Sequence, residues 1–231
     1  INDASIRIWL RLSKDETIVR MPFEVRHMGS KYPIFSFDFT GAKRGVLPAS
    51  YDYLRLEGRM QYRLNLPPIG YSQLMLEGGK IFGKVPYLLL KLHEGNGTYF
   101  YDRYAFSCMN FYEFSSDAWI SFFYEHHFNG FLLGRVPLLK KLNWREVFVF
   151  KGVYGTLSAR NDGSLPNTKA VMLFPVGMSS VEHPYLETGF GIENIFRLLR
   201  VDCIWRLTHH RAVPGLSIPT FTVNFSLNLK F

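Results

Sequence analysis

The seven histidines are the residues best suited to chemistry, and their spacing argues against it. His126-His127 and His209-His210 are adjacent pairs. Neighbouring side chains of a strand point to opposite faces, so the members of each pair cannot easily share a metal. Glu125 and His127 lie two apart on one face and offer half a site at most. Interfacial or loop positions account for these histidines better, so no metal or cofactor ligand is assigned. Ser, His and Asp all occur, but no Gly-x-Ser-x-Gly nucleophile elbow does. Gly78-Gly79-Lys80 lacks the spacing and the Ser/Thr of a phosphate loop and reads as a strand end. No catalytic residue is assigned, and an enzyme is not expected.

Charge narrows the partners. Lys+Arg number 27 against 19 Asp+Glu, a formal charge of +8. The cations are spread singly through strand-like segments rather than clustered, which weighs against nucleic acid. Mean hydropathy is −0.02 and aromatics make up 16%. No run approaches the roughly 18–20 apolar residues of a spanning helix, which leaves spanning by strands open. Cys108 and Cys203 allow one disulfide and are both read as unpaired. With no signal peptide and a strand pattern opening at Ile6, a processed or truncated chain is expected.

The elements that would position any site are strands. Residues 219–231 alternate completely: Phe221, Val223, Phe225, Leu227, Leu229 and Phe231 on one face, Thr220, Thr222, Asn224, Ser226, Asn228 and Lys230 on the other. The same alternation recurs at 5–13, 17–27, 34–40, 52–64, 70–80, 117–128, 143–158, 185–195 and 198–209, making ten strands. In 52–64, Leu54, Leu56, Met60, Tyr62 and Leu64 oppose Arg55, Glu57, Arg59, Gln61 and Arg63. In 198–209, Leu199, Val201, Cys203, Trp205 and Leu207 oppose Arg200, Asp202 and Arg206. Strand 143–158 is the least regular.

Charge of both signs on one face suits a polar lumen, with the apolar face toward lipid. The expected fold is therefore all-β: an antiparallel transmembrane β-barrel in the outer membrane of a Gram-negative bacterium. A periplasmic C-terminus makes 159–184 and 209–218 extracellular and the turns near 65–70 and 195–198 periplasmic. Those lengths match the short periplasmic and long extracellular loops of such barrels.

Residues 81–146 do not fit a strand–turn–strand scheme. They run through Gly83-Lys84-Val85-Pro86-Tyr87, Gly95-Asn96-Gly97-Thr98, Phe106 to Asp117, Glu125 to Gly130, Arg135 to Leu142 and Trp144-Arg145-Glu146. This string resembles the barrel region of a Bacteroidota family of unknown function whose members usually carry an N-terminal carboxypeptidase-regulatory-like domain. The likeness covers essentially the whole chain. That family in turn resembles the sixteen-strand BamA/TamA-type assembly and translocation barrels, whose lumen loop precedes the twelfth strand. The resemblance implies that residues 1–231 form one barrel domain, the C-terminal ten strands of sixteen, with 81–116 as the lumen loop. The superfamily's Val-Arg-Gly-Phe/Tyr motif is missing. Met109-Asn110-Phe111-Tyr112-Glu113-Phe114 takes its place, with Met109, Asn110, Tyr112, Glu113, Phe114 and Asp117 as loop candidates. Phe225, Leu227, Leu229 and Phe231 resemble a C-terminal assembly signal.

Two readings of Glu113 and Asp117 stay open: pairing with wall arginines such as Arg55, Arg59 or Arg200, or capping an ordinary turn. Arg55, Glu57, Arg59, Arg63, Arg200, Asp202 and Arg206 are the expected lumen charges. Residues 131–142 mix apolar side chains with Arg135, Lys140 and Lys141, which suits a membrane interface or a partner. The functions implied are client handling or accessory service in an outer-membrane complex, with outer-membrane lipid, lipopolysaccharide and complex subunits as partners. The alternatives are a passive or plugged pore serving as an anchor, and a soluble β-sandwich or lipid-binding barrel.

Overall fold

A computed structural model describes residues 2–27, 29–46, 48–164, 170–210 and 217–227. Its frame is one nine-stranded antiparallel sheet in strict chain order. The strands are β1 (Ile6–Leu12), β2 (Ile34–Ala42), β3 (Tyr53–Asn65), β4 (Tyr71–Gly83), β5 (Ala118–His127), β6 (Arg145–Thr156), β7 (Tyr185–Ile195), β8 (Leu199–Arg206) and β9 (Phe221–Leu227). The sheet is open: among the described residues β1 and β9 are its edges and do not pair with each other.

Nine strands stand where ten were expected, because 17–27 is not a strand of this sheet. Ile18–Arg20 and Val25–His27 pair only with each other. Val19, Met21, Phe23 and Val25 alternate correctly, but Pro22 has no N–H to give a ladder. The chain turns there instead, with Met21 N–H donating to Glu24 O at 2.8 Å. Arg11 at the end of β1 forks onto the Glu16 carboxylate (2.6 and 2.5 Å), tying this hairpin to the wall. The other nine expected segments each overlap one sheet strand, three of which run one to three residues past the expected end; residues 228–231 lie outside the described residues.

Register turns the alternation of single strands into two continuous surfaces. On the outer face, Tyr62, Leu74, Tyr124, Phe150, Thr188, Trp205 and Phe221 are successive partners across seven strands. On the inner face, Gln61, Met75, Phe123, Lys151, Glu187 and Arg206 form the corresponding row. Burial runs opposite to that of a half-exposed soluble sheet. Phe190 is 59% exposed and Ile120 49%, whereas Lys151 and Glu187 are 0% exposed. Cross-strand aromatic pairs such as Phe148–Phe190 (5.3 Å) and Trp205–Phe221 (5.1 Å) knit the outer face.

The connections at the two ends differ less than expected, because the end with the tight turns also carries the longer connections 13–33 and 128–144. Residues 66–70 and 196–198 are tight turns at one end of the sheet; the chain between β6 and β7 at the opposite end is long. The connection between β4 and β5 does not loop outward. It folds across the inner face and contributes Phe106, Met109 and Phe114 to a core with Met75, Phe123, Val153, Val181 and Tyr185. Within it, Lys91–Leu92 and Phe114–Ser116 pair with each other, and Ser179–Ser180 adds to the latter. No helix of the described residues is long and apolar enough to cross a membrane.

Candidate functional site

The site is the interface between this insert, residues 84–117, and the inner face. A main chain lying on a wall leaves donors and acceptors that need partners once water is excluded. Buried wall charges supply them. Lys151 Nζ donates to Asp102 O (2.8 Å) and Ala105 O (2.6 Å). Its register partner Glu187 accepts from Ser107 N–H (2.8 Å), Cys108 N–H (2.7 Å) and the Tyr185 hydroxyl (2.6 Å).

Arg206, next in the same row, holds the insert's far end. Its guanidinium donates to both Glu113 oxygens (2.6 and 3.2 Å) and to Cys108 O (3.1 Å). Glu125 anchors the middle. It accepts from the Tyr101 hydroxyl, from Arg103 (2.7 Å) and from Arg200 (3.1 Å), while Arg200 also forks onto Asp202. Arg200 and Lys151 both lie 4.5 Å from the Tyr101 ring centre, so one tyrosine receives two cations on its π system. Also on the inner face, Lys91 of the insert bridges Glu77 on β4 and Glu94 (both 2.8 Å), and Arg59 on β3 completes Glu77 (2.5 Å).

The insert also meets the sheet edge. Phe100 pairs in parallel with Phe225 of β9, with Phe225 N–H donating to Tyr99 O and Tyr101 N–H to Phe225 O (2.7 and 2.8 Å). One residue of the β9 edge is thereby covered by the chain's own insert. Gly191 on β7 admits the Asp202 carboxylate: a Cβ there would lie 2.2 Å from Oδ1.

Burial sets the chemistry of the insert's reactive groups. It pushes the Cys108 thiol up to about 12, with the Glu187 charge adding to it. It pushes the His93 imidazole down to about 3. It raises the Tyr101 phenol well above its usual range, with Glu125 next in effect. His93 bonds Ser116 Oγ (2.9 Å), its Nδ1 has no partner among the described residues, and both residues are buried. This arrangement fixes protein to protein.

The structure distributes the sequence-predicted residues as follows. Glu113 pairs with Arg206 rather than with Arg55, Arg59 or Arg200, whose partners are Glu57, Glu77, and Asp202 with Glu125. Glu113 also caps its own turn, accepting from Asn110 N–H (2.8 Å), whereas Asp117 accepts from the distant Ser158 N–H (3.0 Å) and Asn161 (3.1 Å). Met109 and Phe114 are buried in the core, Asn110 donates to Ser217 O (2.8 Å), and Tyr112 is exposed with φ +59°. Arg63 lies over the Tyr71 ring (4.0 Å). Phe225 and Leu227 are on the outer face, and Leu229 and Phe231 lie outside the described residues. His127 sits between Glu125 (3.4 Å) and Glu193 (3.2 Å), and among the described residues no group of three metal-type ligands is placed to hold an ion.

A cavity of about 1070 Å³ remains between the 13–33 excursion, the β3–β4 wall and the insert, bordered by Arg63, Arg103, Tyr104 and Glu125.

Residues 4–159 match the model of a family of unknown function, the DUF5686 C-terminal domain. The chain belongs to this family. No curated protein matches it. The DUF5686 match takes in β1 to β6 and the whole insert, including Glu125 and Lys151, while Glu187, Arg200 and Arg206 lie beyond it. The anchors that sequence reasoning missed are Glu77, Lys91, Tyr101, Arg103, Glu125, Lys151 and Glu187. A lone charge inside an apolar run, as in Val149-Phe150-Lys151-Gly152-Val153, was the signal available.

Proposed function

We propose that this chain forms wall and lumen loop of an outer-membrane β-barrel and serves in client handling or as an accessory subunit of an outer-membrane complex. The carrying observation is the inverted burial of the sheet: apolar rows open, charged rows closed beneath the insert. Water would penalise the exposed aromatics, whereas a hydrocarbon layer accommodates them and leaves the charges to pair inside. The insert then occupies the lumen, as the lumen loop does in the BamA/TamA-type barrels that the string 81–146 resembles. In that orientation the turns 66–70 and 196–198 are periplasmic, and lipopolysaccharide meets the opposite end.

β1 and β9, first and ninth of an antiparallel meander, run parallel to each other. Antiparallel closure therefore takes an odd number of further strands beside them. Seven would complete the sixteen of the assembly barrels, replacing the expected ten-plus-six division.

A second reading, a plugged anchor without client traffic, is favoured by how completely Lys151, Glu187 and Arg206 immobilise the insert. Depletion of the protein in its Gram-negative host, with quantification of other outer-membrane proteins, separates the two. Client handling predicts that several of them fall; an unchanged profile leaves the anchor. Detergent-dependent extraction and heat-modifiable gel mobility test the membrane setting that both readings share.

A further inference from the structure

The connection between β5 and β6 carries charged side chains that neither the wall nor the insert uses. From Asn129 to Trp144 it holds no acidic residue, yet it carries Arg135, Lys140 and Lys141, all exposed. Between those cations it turns apolar side chains outward: Leu132 is 51% exposed, Val136 45% and Leu138 82%. A short 3-10 turn (Leu133–Arg135) and one helical turn (Pro137–Lys140) give it a defined shape, and Leu133 N–H is bonded to the Glu146 carboxylate. The Arg135 guanidinium lies 4.1 Å from the Phe131 ring centre, which keeps its charge beside apolar surface.

Its place in the fold matters as much as its composition. It leaves β5 after His127 and enters β6 at Arg145, at the same end of the sheet as the tight turns 66–70 and 196–198. Near that end the outer face carries Phe148 and its register partner Phe190. Exposed apolar residues interleaved with cations, at the end of the sheet where Phe148 and Phe190 face outward, match the boundary where acyl chains meet phosphates.

We propose that residues 131–141 form a phospholipid-headgroup clamp. Leu132, Val136 and Leu138 enter the acyl boundary of the periplasmic leaflet, and Arg135, Lys140 and Lys141 take the phosphates of anionic glycerophospholipids. This inference rests on the membrane reading above. The clamp would bind phosphatidylglycerol in preference to zwitterionic phosphatidylethanolamine, and the preference would weaken with salt because the cations are exposed.

The test uses the full-length protein extracted in detergent and reconstituted into nanodiscs of mixed phosphatidylglycerol and phosphatidylethanolamine. The lipid retained on re-extraction is then counted by native mass spectrometry. Wild type should enrich phosphatidylglycerol at least roughly fivefold over the bulk ratio, which corresponds to about one surface cation's attraction to an anionic leaflet. R135Q/K140Q/K141Q should retain the bulk ratio, and the charge-keeping R135K/K140R/K141R should keep the enrichment, which separates charge from misfolding. Equal ratios for wild type and the neutral variant, with heat-modifiable mobility intact, would overturn the clamp and leave the membrane reading standing. A protein soluble without detergent would overturn both. Loss of a co-purifying protein, rather than of lipid, in the neutral variant would assign the segment to a protein partner and overturn the clamp.

Discussion

Lys151 on β6 and Glu187 on β7 are register partners, and together they hold the insert's main chain from Asp102 to Cys108. Both are fully buried. Their relation is not that of a simple ion pair: the ammonium serves carbonyls, the carboxylate serves N–H groups, and each compensates the other's charge across the strand gap. A buried charge is tolerated only with such partners.

Replacing Lys151 by Met should therefore strand the Glu187 carboxylate and free two carbonyls of the insert. A loss of about 3–5 kcal/mol is expected for breaking one side of such an arrangement. Denaturant titration in detergent measures it, and limited proteolysis should cut the variant within 99–108 before the strands. K151M/E187Q should recover part of that loss, because it removes the uncompensated charge.

Arg206 and Glu113 offer a second anchor with a sharper geometric requirement. The guanidinium reaches both carboxylate oxygens and also Cys108 O and His209 O (2.7 Å), a set that an ammonium cannot reproduce. Arg206→Lys should behave nearly like Arg206→Met. A double-mutant cycle with Glu113→Gln should give a coupling of about 2–5 kcal/mol; a value near zero would mean that the two residues act independently.

The two cysteines report the two faces. Cys108 is buried against Ile204 O and its thiol is pushed up to about 12. Cys203 is half-buried on the outer face. At pH 8 a membrane-permeant maleimide should label Cys203 in the folded protein and reach Cys108 only after denaturation. Equal rates would contradict the packing of the insert.

His93 gives a pH dependence with a definite sign. Its folded value, pushed down to about 3 by burial, lies below the ordinary histidine value of 6.5. The unfolded chain therefore binds the proton first as pH falls. Stability is complete above about 6.5 and is lost progressively toward pH 3, by up to a few kcal/mol. His93→Gln should flatten that part of the stability–pH curve, measured by denaturant titration at pH 7 and pH 5.

The strands were legible where one face is apolar and the other charged, as in Leu54 to Leu64 and Leu199 to Leu207. They were not legible where the insert makes the inner face apolar too. Val147, Val149 and Val153 of β6 are buried beneath the insert while Phe148 and Phe150 face outward, so period 2 disappears. The misread segment 17–27 shows the converse: alternation persists across Pro22 although the backbone turns there. Arg206 was recognisable as an inward charge and Glu113 as a loop carboxylate, but their pairing depends on how an insert and a strand 93 residues apart are brought together. Local sequence patterns carry no such information.

On the proposed membrane setting, the outer face meets lipid while the inner face does not. Single nitroxide labels at Leu54, Tyr154, Phe190 and Leu227, and at Ser226 and Gln61 for comparison, in the full-length protein reconstituted into bilayers, test it by electron paramagnetic resonance. The first four should be relaxed strongly by oxygen and weakly by a water-soluble nickel chelate, and the last two should not follow that pattern. Strong relaxation of the outer-face labels by nickel would contradict the account.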